Sequence, residues 1–326
     1  MDSFKAFVVS ETDSGFFGAV QEKEISELPQ NDLLVKVHYS SLNYKDALSA
    51  SGNKGVTKEY PHTPGIDAAG VVVESKCDDF QVGDDVIVTS YDLGMNISGG
   101  FSEYISVPAS WAVKLPEGMT LKESMILGTA GLTAGMSVAQ IVGKLDKGKI
   151  AVSGSTGGVG SLSIAILAKL GYEVVAITGK KEEEAYLKSL GASEILLRSE
   201  FNESSKRPLL KPVFSGAIDT VGGQTLENLI KSTDHMGVVT LCGNIGGADF
   251  STNVYPFILR GLSLVGIESQ NFPMADRQVV WESLAKGWKP CVLMDVFKEV
   301  TLEGLDQEIK SMLQGKAKGR VLVRLT

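Results

Sequence analysis

From residue 149 onward six short apolar runs, KIAVSG, EVVAIT, EILL, GAIDTV, GVVTLCG and SLVGI, alternate with segments of helix length. Their recurrence every ~20 to 25 residues is the rhythm of repeated βα units. Parallel neighbours need a crossover long enough to hold a helix, so this rhythm predicts a parallel sheet covered by helices on both faces. The first third of the chain reads differently. FKAFVV, DLLVKVHYSSL, GVVVE, GDDVIVT and FSEYISV are β-like runs cut by glycine, proline and aspartate, which predicts a small twisted β domain. The change of rhythm predicts two domains, 1–117 and 118–289, with the first completed by about residues 290–326. GRVLVRLT at the end reads as a strand after the helix-like LEGLDQEIKSMLQG, has no place in the parallel sheet, and is expected to return to the first domain. At 326 residues and 43% hydrophobic content, the chain can bury a core in each.

The stretch AVSGSTGGVG, residues 151 to 160, lies where the first strand of the parallel sheet turns into the helical SLSIAILAKLG. Counting back from Gly160, the dinucleotide pattern G-x-G-x-x-G fails at Ser155, leaving Gly154, Gly157, Gly158 and Gly160. Glycines there let the backbone turn sharply and approach a pyrophosphate at the positive end of a helix. A tight turn with no ligand is the alternative. As the first of six βα units, the turn sits where open sheets of this kind bind ligands. The second strand indicates which dinucleotide. An NAD site carries Asp or Glu at its end, about 20 residues after the glycines. Here EVVAIT ends in Thr178, followed by Gly179, Lys180 and Lys181. A hydroxyl and an ammonium suit the 2′-phosphate of NADPH. The lysines merely opening the helix KKEEEAYLKSLG is the competing reading.

The formal charge of −8, with Lys and Arg scattered, argues against a nucleic-acid surface. The N-terminus MDSFKAFVVS alternates like a strand, and no uncharged run elsewhere is expected to reach membrane-spanning length, so no membrane partner and a cytoplasmic location are expected. Cys77, Cys242 and Cys291 are too few and too far apart for a disulfide framework or a structural zinc lobe and read as buried thiols. His38, His62 and His235 show no ligand-like spacing.

SSLNYKDAL (40 to 48), PGIDAAGVV (64 to 72), GDDVIV (83 to 88), GTAGLTAGMSV (128 to 138), AVSGSTGGVG, GAIDTVGG (216 to 223) and PFILRG (256 to 261) together resemble the medium-chain dehydrogenase/reductase superfamily over nearly the whole chain. The resemblance implies a GroES-like catalytic domain followed by a Rossmann domain. Alcohol dehydrogenases of the superfamily hold catalytic zinc through a cysteine in the first motif, a histidine in the second and a cysteine or aspartate in the fourth. Those places here read Asn43, Ile66 and Thr129, which cannot make a zinc site. The chain is thus similar to the zinc-free quinone oxidoreductase branch, and within it to the subgroup that includes acryloyl-CoA reductases. By resemblance the reaction is NADPH-dependent reduction of a double bond conjugated to a carbonyl, with hydrogen-bond donors stabilising the enolate.

The same resemblance distributes roles. Tyr44 is placed over the nicotinamide, as a contact or a proton donor, with Asn43 beside it at the former metal site. Thr129 is placed at the nicotinamide ribose, and Thr156, Gly157, Gly158 and Val159 at the pyrophosphate. Thr178, Gly179, Lys180 and Arg198 surround the 2′-phosphate, while Asn244, Ile258 and Ser269 lie at sheet ends facing the nicotinamide. Arg320 reaches the cofactor or makes a surface salt bridge. Related mitochondrial enoyl reductases carry a donor tyrosine in a G-N-Y-G loop where this chain has GNKG with Lys54. Lys54, Lys58 and Arg260 are candidates for a CoA phosphate tail. The acceptor is an enoyl thioester or a quinone. An NADPH-binding structural or regulatory protein without turnover is the reading from another class. The edge of the last strand, GLSLVGIE, is expected to pair with a second copy as a homodimer.

Overall fold

The computed structural model describes residues 3–203 and 207–326, so the first two residues of the N-terminal strand reading lie outside the described residues. In chain order the elements begin with β1 (Ser3–Thr12), β2 (Gly15–Glu24), β3 (Leu33–Leu42), α1 (Tyr44–Ala50), β4 (Asp67–Ser75), β5 (Asp85–Thr89), β6 (Tyr104–Val107) and β7 (Ala112–Lys114). They continue through α2 (Leu121–Val142), β8 (Lys149–Ser153), α3 (Gly158–Lys169), β9 (Glu173–Thr178), α4 (Glu184–Ser189), β10 (Glu194–Leu197), α5 (Arg198–Phe201) and β11 (Phe214–Asp219). The rest are α6 (Gly223–Ser232), β12 (Thr233–Leu241), α7 (Tyr255–Arg260), β13 (Ser263–Gly266), α8 (Met274–Ala285), β14 (Phe297–Val300), α9 (Leu305–Leu313) and β15 (Arg320–Arg324).

Two compact units result. The first comprises residues 1–129, 270–285 and 296–326, and the second 130–269 and 286–295. The division therefore differs from the expected one at 117/118 and 289/290. The reason for the first shift lies in α2. Its helix is interrupted at Gly128, whose φ of 53° and ψ of −156° are not helical, and the residues before the break belong with the β unit. α8 also belongs there, because buried Arg277 donates to Thr89 O at 2.8 Å and Thr89 Oγ1 at 2.9 Å.

In the first unit a seven-stranded sheet runs β14-β15-β3-β4-β5-β7, with β6 also on β3, and β1 and β2 form a separate antiparallel pair. The C-terminal β15 pairs antiparallel with β3, Val321 opposite Leu42, which places Arg320 beside Asn43 at the start of α1. Its core is built from alternating inward residues such as Val35, Val37, Val86, Val88, Ile105 and Val323. Each such side chain stabilises the fold by roughly 1.5–3 kcal/mol.

The second unit holds six parallel strands in the order β10-β9-β8-β11-β12-β13. Counted from β8, this is the 3-2-1-4-5-6 order of a doubly wound sheet. The central strands are buried along almost their whole length, as they must be when both faces are covered. One expectation is corrected here. α2 is long and apolar enough to meet the criterion for a membrane span, with mean hydropathy 1.5, although the run was not read as one. Its window is 78% buried within the protein, so its apolar character serves a core.

Candidate functional site

In the second unit β8 leads into the glycine turn and α3. Gly154 has φ +60°, so the left-handed residue falls one position before the glycine of the usual pattern. That frees position 155 for Ser155, whose hydroxyl donates to Val152 O at 2.7 Å and lies 2.9 Å from Ile177 O, tying the turn to β9. Gly160 cannot be replaced, since a Cβ there would stand 2.4 Å from Gly154 O. Thr156 is buried, Gly157 is exposed at the N-cap of the twelve-residue α3, and Gly158 and Val159 are half-buried behind it. The arrangement offers backbone N–H groups and a helix dipole to an anion.

At the end of β9 a cleft of about 290 Å3 is lined by Thr178, Gly179, Lys181, Leu197, Arg198, Ser199 and Asn202. Gly179 admits the Arg198 guanidinium, because a Cβ would lie 2.9 Å from its Nη2. The structure brings Thr178, Gly179 and Arg198 together and adds Lys181 to the wall, next to the half-buried Lys180. The Lys180 N–H turns back to Thr178 Oγ1 at 3.0 Å.

The motif GAIDTVGG serves the junction between β8 and β11, the switch point of the strand order. Asp219, buried, accepts Ser153 Oγ at 2.6 Å and the N–H groups of Val221 and Gly222 at 3.3 and 2.8 Å. Burial raises its carboxyl above the usual range, against those three donors. Asn244 is exposed after β12, and Ser269 after β13 accepts Thr133 Oγ1 at 3.0 Å. Ile258 does not join them. It lies in α7, which leads into β13, and Arg260 of the same helix donates to the carbonyls of Leu210, Lys231 and Thr233. Those carbonyls precede or open β11 and β12, so α7 sits toward the end of the sheet opposite the glycine turn, with Ile258 68% exposed. The same anchoring removes Arg260 from the candidates for a CoA tail.

In the first unit, the motifs SSLNYKDAL and PGIDAAGVV converge on a buried charged cluster. Asp46 Oδ2 accepts the Asn43 N–H at 2.8 Å across the start of α1, and its Oδ1 accepts Gly65 N and Ile66 N at 3.2 and 2.8 Å. Asp67 Oδ2 accepts Ser41 Oγ at 2.6 Å, Asn43 Nδ2 at 2.7 Å and Thr129 N at 2.9 Å, while Oδ1 accepts Thr129 Oγ1 at 2.6 Å. Arg320 supplies the counter-charge, 3.8 Å from Asp67. Its Nε donates to Ile126 O, Nη1 to Leu42 O and Asn43 Oδ1, and Nη2 to Ser41 Oγ, at 2.7–3.2 Å. One expectation for Arg320 is corrected: at 3% exposure, with Nε, Nη1 and Nη2 all engaged within the fold, it makes no surface salt bridge. Gly128 makes this packing possible, since a Cβ would lie 2.4 Å from Asp67 Oδ2 and Ser41 Oγ.

Two acids face one base, so one negative charge is uncompensated. Burial first and the Asp67 charge second push Asp46 up to about 7, against its N–H donors. Asn43 is corrected from a reacting group to a structural one. Its Nδ2 donates to Asp67 and Ser41 O and its Oδ1 accepts Arg320, leaving it as the cap of the helix whose first residue, Tyr44, is 45% exposed.

The zinc positions of alcohol dehydrogenases offer here an amide already engaged, an isoleucine and a hydroxyl donating to Asp67, a set that does not fit zinc. Among the described residues no group of three or more His, Cys, Asp or Glu is placed to hold a metal ion. Lys54 pairs with Glu11 at 2.8 Å and lies 4.7 Å from the Tyr60 ring centroid, while Lys58 is exposed. Cys291 is exposed rather than buried, and Cys77 and Cys242 are half-buried. Burial and Asp219 push the Cys242 thiol up to about 12, so it is not a nucleophile. Asp46, Asp67 and Asn202 escaped the sequence reading. Acidic residues inside apolar motifs, with one arginine in a C-terminal strand, were the available signal for the first two.

A GroES-like β unit and a 3-2-1-4-5-6 parallel sheet with a glycine turn define a nucleotide-dependent dehydrogenase or reductase architecture. Residues 29–117 match the model of the alcohol dehydrogenase GroES-like domain, and 158–286 that of the zinc-binding dehydrogenases. The chain belongs to the medium-chain dehydrogenase/reductase superfamily, in the group of quinone oxidoreductases and acryloyl-CoA reductases. It is 44% identical to the Bacillus subtilis protein named quinone oxidoreductase YhfP, over 94% of this chain and 95% of that one. The crystal structure of YhfP with NAD bound superposes with a TM-score of 0.97 at 42% identity, covering both chains fully. Acrylyl-CoA reductase AcuI of Ruegeria pomeroyi is 40% identical over 94% of this chain and 93% of its own. The yhdH oxidoreductase of Salmonella enterica in complex with NADP has a TM-score of 0.95 and 38% identity, covering 99% and 100% of the two chains.

Proposed function

We propose that the protein is a cytoplasmic, metal-free, NADPH-dependent reductase of double bonds conjugated to a carbonyl, with an acryloyl-CoA-like thioester as acceptor. The observation that carries this reading is the replacement of metal ligands by a closed Asp67–Arg320 cluster, in a chain that keeps a nucleotide turn and a cationic cleft. The kinship with a named acrylyl-CoA reductase supports the acceptor class. NADPH, when bound, supplies the hydride. The N–H groups around Gly157 to Val159 hold its pyrophosphate, and Arg198, Lys181, Thr178 and Asn202 receive the 2′-phosphate. The absence of Asp or Glu at the end of β9, where Thr178 stands, favours NADPH over NADH, although one relative was crystallised with NAD and another with NADP.

With no Lewis acid, charge developing on the thioester oxygen must be met by hydrogen-bond donors and the α-carbon must receive a proton. In the first unit Asn43 has no donor to give, which leaves the phenol of Tyr44, presented at the start of α1, as the group to hold or deliver that proton. The overall change balances as one hydride and one proton added across the carbon–carbon double bond. The YhfP name favours a quinone as a second acceptor. Steady-state oxidation of NADPH against acryloyl-CoA and a small panel of quinones tests both. Tyr44→Phe should lower kcat by about 10²- to 10⁴-fold if Tyr44 donates the proton, and far less if its ring only packs. No turnover with any acceptor leaves the NADPH-binding structural protein.

Assembly as a homodimer belongs to the same proposal. β13 is the last strand of its sheet, and Val254, Tyr255, Ile258 and Leu259 are exposed on the helical segment before it. A second copy pairing along β13 would remove that edge. Light scattering at micromolar concentration should give twice the monomer mass, and a monomer would defeat the assignment.

A further inference from the structure

Ser90 and Tyr91 are consecutive non-glycine residues in the left-handed region, with φ of 66° and 52°. Strain of this kind, about 1–2 kcal/mol for each L-residue, persists only where the surroundings over-determine it. They do so here. Ser90 N donates to Ile66 O at 2.7 Å and Tyr91 N to Gln270 O at 3.1 Å. The Tyr91 ring stacks on Trp111 with centroids 5.4 Å apart, and the buried Arg277 guanidinium lies 4.5 Å from its centroid. Arg277 is itself fixed on Thr89, the residue before Ser90.

The outcome of this clamp is the position of one hydroxyl. Ser90, 3% exposed, lies with its Oγ 2.9 Å from Thr129 Oγ1. Either oxygen could donate in isolation, but the next bond in the chain decides. Thr129 has one hydroxyl proton, and it is given to Asp67 Oδ1 at 2.6 Å. Asp67 accepts at both oxygens, from Ser41, Asn43 and the Thr129 N–H at Oδ2 and from the Thr129 hydroxyl at Oδ1, beside the Arg320 guanidinium. Ser90 must therefore be the donor to Thr129, and the chain runs in one direction, Ser90 to Thr129 to Asp67.

The geometry points to Ser90 as a positioning residue. Its strained backbone carries the hydroxyl to Thr129, and its proton completes the commitment of Thr129 as a group that presents an oxygen, not a proton, to a further partner, which by the superfamily resemblance is the cofactor. The inference rests on the NADPH reading above. It also separates the two polar arms of the first unit: the Ser90–Thr129 arm accepts, and the proton for the reduced carbon comes from elsewhere.

Two variants distinguish this from a purely structural role. Ser90→Ala and Ser90→Gly both lack the hydroxyl, but only glycine relieves the left-handed strain. The glycine variant should melt higher than the alanine variant by about 2 °C or more. Both should lose the same activity, about 2- to 10-fold in kcat for NADPH-dependent reduction, the worth of one neutral hydrogen bond. In a Thr129→Val background neither Ser90 change should cost anything further. Activity that follows melting temperature, an unchanged kcat in the glycine variant, or losses that add to that of Thr129→Val would each overturn the proposal. If the wild type turns over no acceptor, the reductase reading fails by itself. The same proteins are then compared by NADPH dissociation constant, where equal weakening in both Ser90 variants sustains the proposal and unchanged binding overturns it.

Discussion

Arg320 and Arg198 are the same side chain put to opposite uses. Arg320 lies in the first unit at 3% exposure, its donors taken by Ile126, Leu42, Asn43 and Ser41, with Asp67 beside it. Arg198 lies half-buried on the wall of an open cleft with Lys181, Thr178 and Asn202. A charge taken wholly out of water must find its partners within the fold, whereas one left at a cleft can keep them for a ligand. The first kind makes a rigid frame, and the second makes a binding site whose energy is realised only when an anion arrives.

The comparison is broken most forcefully at Arg320. Arg320→Met leaves Asp67 and Asp46 buried without a counter-charge and should cost about 3–5 kcal/mol of stability by denaturant unfolding. A loss below ~1 kcal/mol would mean that water already reaches the cluster. Acid titration sharpens the same point. The Asp46 carboxyl is raised in the folded protein, so its contribution to stability is complete below about pH 4 and is lost as the pH rises through about 7. The raised value corresponds to a fall on the order of 4 kcal/mol across that window. Unfolding measured at pH 5 and pH 8 reads it, and a flat profile would show that Asp46 stays ionised throughout.

At the cleft the effects should fall on the ligand and not on the fold. Arg198→Ala and Lys181→Ala should each weaken NADPH by about ten- to a hundredfold, leave NADH nearly unchanged, and shift stability without ligand by less than ~0.5 kcal/mol. Equal loss for both cofactors would refute the 2′-phosphate assignment. Lys180→Ala, one residue away, should have the smaller effect on NADPH, and the reverse order would restore the reading taken from the sequence. Raising the salt from 0.05 to 0.5 M should weaken NADPH binding while leaving the penalty of Arg320→Met nearly constant, because screening acts on exposed charges.

The two arginines also show what the sequence could convey. The βα rhythm from residue 149 and the glycine turn were legible because hydrophobic period and backbone freedom are local properties. So was the return of GRVLVRLT to the first unit, through the lack of a parallel partner. Arg320 was not, because an arginine next to a glycine at a strand start looks like a surface residue until β15 is seen to lie against β3. Ile258 was read at the strand ends facing the nicotinamide, because closeness in chain to β13 does not say at which end of the strand α7 docks. The choice between Lys180 and Lys181 depended on a turn closed by the Thr178 side chain. Ser90 carried no sequence signal, since a left-handed serine is written like any other.

With Asn43, Ile66 and Thr129 at the ligand places, the reductase must turn over without a bound metal. The direct measurement is the rate of NADPH oxidation with acryloyl-CoA by protein stripped with a strong chelator and assayed for metal content. The predicted result is full turnover at a zinc content well below one per chain, with no oxidation of saturated alcohols by NADP. Activity that disappears on chelation and returns with added zinc would contradict it.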